Sequence, residues 1–168
     1  MKKLLFFILF LSLIFNCTSD SSDENTNSVD DTNPVYLDTN GVTIIARDWA
    51  VIGDEGIING VNYTIVDKDI LLDMIINRDD VSRVCTSKIN DMSHLFSDAY
   101  NINPDISSWD VSNVTNMRRM FRLSGPFNQN LGSWNVNNVT DCNGFCYSTP
   151  NWTLTKPSFS NCGDTECE

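Results

Sequence analysis

The chain has 168 residues, of which 20% are charged and 41% hydrophobic, and its formal net charge is −11. That length suits one domain with a modest core. The acidic balance repels phosphate backbones and anionic membrane surfaces alike, which excludes nucleic acid as a partner.

At the N-terminus, MKKLLFFILFLSLIFNC sets Lys2 and Lys3 before an apolar run that only Ser12 interrupts. The run is too short for an ordinary membrane-spanning helix and has the flanks of an export signal. Ile14-Phe15-Asn16-Cys17 resembles a loose bacterial lipobox, which makes 1–17 a lipoprotein signal peptide and Cys17 the lipidated residue. The other reading is an ordinary signal whose Cys17 is lost on cleavage or bonded to another cysteine. Residues 18–34, TSDSSDENTNSVDDTNP, carry acidic residues and no basic or aromatic ones. Such a composition buries too little apolar surface to fold, so a disordered acidic tether is expected.

Residues 35–85 read as an N-terminal capping segment of strands and one helix. Gly41-VTIIA-Arg47 is β-branched and apolar, and Asn59-Gly60 between two apolar runs predicts a type I′ hairpin. Asp67 then stands as the N-cap of a helix over KDILLDMIIN, with Ile70, Leu71, Met74 and Ile75 on one face.

From residue 86 to 168 the sequence repeats three times at a period of 25, with a C-terminal cap. The second copy reads VSNVTNMRRMFRLSGPFNQNLGSWN. Steps of 25 align Ile89, Val114 and Val139, then Met92, Met117 and Cys142, then Phe96, Phe121 and Cys146. They also align Leu95, Met120 and Phe145, then Ile102, Phe127 and Trp152, then Trp109, Trp134 and Phe159. A fixed period of this size predicts copies that bury their apolar faces only against one another. Ile106-x-x-Trp109-x-Val111 fits the strand of a leucine-rich repeat, and Val114, Met117, Met120 and Phe121 fit a short helix. The expected fold is therefore an α/β repeat protein, a short right-handed leucine-rich-repeat-like solenoid closed by a strand-and-helix cap at its N-terminal end. Asn113/Asn138 and Asn103/Asn128 also recur at 25 and read as turn ladders that satisfy backbone groups.

Little in the sequence suggests catalysis. There is no phosphate loop and no G-x-S-x-G, and the one histidine, His94, lies two copies from Cys142-x3-Cys146, whose spacing is not that of a zinc ribbon. The reading is of a protein that is not an enzyme, with no metal and no cofactor. The candidate binding residues are Arg118, Arg119 and Arg122, expected on one helical turn, since arginine pairs with carboxylates and stacks on aromatics. The alternative places them as solvated helix positions. A disulfide between Cys142 and Cys162 would tie the tail across the last copy; Cys146 with Cys167 is the competing pair, and both together leave Cys85 as the odd thiol.

VSNVTNMRRMF, FNQNLGSWNV and DISSWDVSNVTNM resemble the repeats of BspA-like leucine-rich-repeat surface lipoproteins, over roughly residues 86–162. YTIVDKDILLDMI followed by VSRVCTS is similar to the leader before the first repeat in that family. The resemblance implies display at the outer membrane or cell surface, held by the N-terminal lipid, and binding of an extracellular protein or glycan. A monomeric, adhesin-like module is the expected function. The second reading is a structural or truncated surface component with no ligand of its own.

Overall fold

The structure is a computed structural model and describes residues 31–167. The signal peptide, Cys17 and the tether as far as residue 30 lie outside the described residues. Residues 31–34, assigned to the tether, join the fold instead: the Asp31 carboxylate pairs with Arg47 at 2.9 Å, and Asn33 Nδ2 donates to the Ile57 carbonyl at 2.7 Å.

Strand β1 (Val35–Leu37) pairs antiparallel with β2 (Ile44–Ala46). Strands β3 (Glu55–Ile58) and β4 (Val61–Ile65) form the predicted hairpin around Asn59-Gly60, whose φ values of 51° and 79° are those of a type I′ turn. A short β5 (Val84–Cys85) joins β4 in parallel, giving the order β3-β4-β5. Helix α1 (Lys68–Asn77) begins where the sequence places it, with Asp67 accepting from the Ile70 amide at 2.9 Å. It ends at Arg78, whose left-handed φ of 63° lets its amide reach back to the last turn. Leu71 is fully buried, with Met74 and Ile75 packed partly against the core, whereas Ile70 turns outward.

The expected α/β solenoid is overturned. The regular elements are two small sheets and one α-helix, all before residue 86, and among the described residues no strand or α-helix falls within the three copies. The expected strand at Trp109–Val111 is reduced to one bridge between Trp109 and Ile44. The expected helix from Val114 to Phe121 is broken by left-handed residues that recur with the period. These are His94 (φ 63°), Arg119 (53°) and Gly144 (66°), then Asp98 (59°), Leu123 (57°) and Ser148 (56°). A right-handed helix cannot pass through such positions.

What forms instead is a run of turns whose amides alternate between two kinds of partner. Within one turn, Leu95, Ser97 and Ala99 donate to Met92, His94 and Phe96. The amides between them cross to the next copy: Met92 to Asn116, His94 to Arg118, Phe96 to Met120 and Asp98 to Arg122, all at 2.8–3.0 Å. The second and third copies repeat the crossing through Met117, Arg119, Phe121 and Leu123. Side chains support the turns at the same period. Asp91, Asn116 and Asp141 each accept from the amide two residues on, as do Asp80, Asp105 and Asn130. Asn113 and Asn138 donate to the carbonyls of Ser87 and Ser112, so the asparagine ladders hold adjacent copies together.

The apolar columns lie inside: Phe96, Met117, Phe121, Phe127, Val139 and Phe145 are fully buried, and only Ile102 and Phe159 are half-buried. Trp109 and Trp134 stack at 6.4 Å with planes 7° apart, and their Nε1 atoms donate to the carbonyls of Val81 and Ile106. Those acceptors are themselves 25 apart, so the period reaches upstream into the capping segment. The sheets carry a smaller core of Val35, Ile44, Ala46, Ala50, Ile65 and Cys85. They dock on the first copy where Ser87 Oγ accepts from the Ala46 amide and donates to buried Asp110.

The tail forms a shorter fourth layer. Asn161 donates to the Asn137 carbonyl, and Asp164 accepts from the Glu166 amide as Asp141 does from Asn143. The Gly144 and Cys146 amides donate to Asp164 and Thr165. At Gly144 the left-handed backbone and the Arg119 side chain, 3.3 Å from where a Cβ would stand, both oppose substitution. Gly144→Ala is expected to lower stability by about 1–2 kcal/mol in urea denaturation.

Candidate functional site

Arg118, Arg119 and Arg122 belong to the turns of the second copy and not to a helix. The Asn116 carboxamide accepts the Arg118 amide at 3.0 Å and fixes the entry to that turn, and left-handed Arg119 reverses the chain after it. The three arginines consequently separate. Arg122 reaches across to the first copy and meets the Asp98 carboxylate at 3.1 Å. Arg119 leans on Gly144 of the third copy. Arg118 adjoins His94 through the backbone bond between their turns.

Asp98 gathers further partners, accepting from Ser97 Oγ at 2.9 Å and Tyr100 Oη at 3.5 Å. Beside it, an open hollow of about 370 Å³ separates α1 from the first copy. Leu72, Ile75, Ile76 and Arg78 line its helix side, and His94, Ala99 and Tyr100 its other side. A second hollow of about 380 Å³ lies between Tyr147, Ser148, Asp164 and Glu166, where the tail meets the third copy. Sequence reasoning missed the first hollow. The available signal was the surplus of apolar residues on α1, since Leu72 and Ile76 fall outside the stripe that Leu71, Met74 and Ile75 bury.

Two disulfides flank Gly144, the residue on which Arg119 leans. Cys142 is bonded to Cys162 and Cys146 to Cys167, with Cα atoms 5.7 and 4.7 Å apart. Cys85 is free and buried beneath β2, where burial pushes its thiol above the usual value despite the nearby Ser87 hydroxyl. Burial also pushes Asp91 upward, but the hydrogen bonds from Ser93 and the Lys68 ammonium outweigh it and hold the carboxyl below its ordinary 3.8. Ser82 does the same for Asp80 through its hydroxyl and amide. These carboxylates fasten turns, and among the described residues no group of histidine, cysteine and acidic side chains is arranged to hold a metal ion.

The geometry defines a class: a small protein of short sheets and one helix, continued by hydrogen-bonded 25-residue copies. A family model described as "Mycoplasma protein of unknown function, DUF285" matches residues 70–160. The match covers most of α1, the three copies and more than half of the chain, and the chain belongs to that family. No curated protein and no solved structure matches it.

Proposed function

We propose that the chain is a BspA-like cell-surface lipoprotein, anchored through Cys17 and acting as a non-catalytic, adhesin-like module that binds a protein or glycan. The observation that carries this reading is the display of tyrosine and arginine on the copies. Tyr100 and Tyr147 are exposed on the first and third copies, Arg118 and Arg119 are half-buried on the second, and Arg122 pairs with Asp98. Tyrosine and arginine are the residues by which recognition surfaces supply contact area and paired hydrogen bonds. A chain of net charge −11 that served only as inert surface material would have no need of that display. The SWDVSNVTNM motif and the family match over 70–160 support the surface-protein part of the reading.

The anchor is tested by fractionation: Cys17→Ser moves the protein from the membrane into the soluble fraction or the medium. Unchanged detergent partitioning removes the lipoprotein reading. Binding is tested by presenting the full chain to extracellular matrix proteins and to a glycan array. Retention by one of them is expected, and it falls about tenfold in Tyr100→Ala or Tyr147→Ala. No retention by any of them favours a structural surface component without a ligand.

A further inference from the structure

Between β2 and β3 the chain turns sharply and leaves Trp49, Val51 and Ile52 exposed at 54%, 60% and 45%, while Ala50 among them is buried. The turn over residues 51–54 satisfies most of its own backbone. The Val51 amide donates to Asp54 Oδ2 at 2.9 Å, and the Asp54 amide donates back to the Val51 carbonyl at 3.2 Å. Gly53, left-handed at φ 92°, donates its amide to the Ile65 carbonyl at 2.8 Å. Three large apolar side chains are thus offered to the surroundings on a backbone that is already bonded. Trp49 also shares a recess of about 280 Å³ with Tyr36, Arg47 and Asp31. There the Arg47 guanidinium lies 5.4 Å from the centre of the Tyr36 ring and pairs with Asp31 at 2.9 Å. Asp31 is where the chain from Cys17 enters the described fold, 14 residues on. Whatever path those residues take, Cys17 stands within about 50 Å of this recess.

We infer that the turn carrying Trp49, Val51 and Ile52 rests in the lipid surface that holds Cys17. Val51 and Ile52 enter the boundary between headgroups and acyl chains. Trp49 and Tyr36 settle at headgroup level, where rings with one polar end are at home, and Arg47 keeps its charge in water. The tether decides the occupant. Anchoring through Cys17 makes this contact intramolecular, so the lipid surface is present at a far higher effective concentration than any dissolved partner. Charge does not drive the contact, because Asp31, Asp48 and Asp54 outnumber Arg47 and Lys88 around the turn. An apolar contact of this kind does not call for anionic lipid. It sets the sheet segment, and not the copies, against the membrane. The inference rests on the lipoprotein reading and names the face of the fold that meets the lipid.

Tryptophan fluorescence of the full chain tests the assignment, because Trp49 is exposed whereas Trp109, Trp134 and Trp152 are buried. The chain is purified from membranes and reconstituted in phosphatidylcholine vesicles, with Cys17→Ser in buffer as the unanchored reference. Quenching by acrylamide is expected to fall about threefold or more on reconstitution, while lipids brominated in their acyl chains begin to quench. Val51→Asp combined with Ile52→Asp should restore acrylamide quenching and leave the protein floating with the vesicles. Leu154→Asp, on the third copy, should change neither. These side chains are exposed, and circular dichroism confirms that each variant is folded. Acrylamide quenching as strong in vesicles as in the reference would overturn the assignment, as would protection without quenching by the brominated lipids. Protection of the reference itself at high concentration gives the turn to a second copy and overturns it equally. An anchored chain whose Trp49 stays open to acrylamide removes the contact and leaves the lipoprotein standing; a parent chain that does not float with the vesicles removes both.

Discussion

Trp134→Ala lowers stability by about 3–5 kcal/mol, the range for a large aromatic removed from a core, and in a protein this small such a loss is expected to unfold it. Trp134 is 5% exposed, stacks on Trp109 with planes 7° apart, and ties its Nε1 to the Ile106 carbonyl at 3.2 Å. Alanine therefore opens a cavity between two copies and removes one of the two hydrogen bonds that the buried Ile106 carbonyl accepts, the other coming from the Trp109 amide. Trp134→Phe separates the two terms, since it keeps most of the ring burial and gives up the hydrogen bond, worth about 1 kcal/mol. The third copy already carries a phenylalanine in this column, Phe159. Urea denaturation followed by tryptophan fluorescence measures both. A Trp134→Ala protein that melts with the parent would refute the packing of the copies described above.

Removing the tail's covalent ties has the next largest effect. The Cys142–Cys162 bond spans 20 residues, and a loop of that size is worth roughly 3 kcal/mol in the chain-entropy account. Cys162→Ser is expected to lower stability by about that amount, and the further change Cys167→Ser to release the tail layer from the third copy. Phe145, whose ring meets Phe159 edge-on, then becomes accessible to water. Mass spectrometry of an unreduced digest identifies the pairs. A melting temperature insensitive to reductant in the parent chain would mean that packing alone holds the tail.

The sequence showed its periodic chemistry readily and its backbone path poorly. The apolar columns, the Asn59-Gly60 hairpin and the Asp67 cap were legible because each depends on side-chain type at a fixed spacing. The turns within the copies were not. Spacings of three and four along Val114, Met117, Met120 and Phe121 fit a helix, and the residues that break it are His94, Arg119 and Leu123, none of which advertises a left-handed backbone. Only Gly144, aligned with them in the third copy, hints at it. The tail layer was hidden for a different reason: Asn161 and Asp164 echo Asn138 and Asp141 at an offset of 23, so a search at 25 passes over them. The three arginines suffered from the helix assumption, since neighbours on a helical turn become residues that part, Arg122 toward the first copy and Arg119 toward the third. The hollow by α1 depends on where the first copy docks, and no local pattern encodes that.

The alternation of amide partners sets how the protein opens. Leu95, Ser97 and Ala99 are bonded within their own turn and exchange with solvent whenever that turn frays. Met117, Arg119, Phe121 and Leu123 are bonded to the following copy, and none of them can be freed singly while its three companions stay in register. Deuterium labelling would therefore divide adjacent residues of the same turn into a fast and a slow class. The slow class would protect as one block. The smallest part of this chain that comes apart cooperatively is the seam between two copies, and the copy itself has no independent melting.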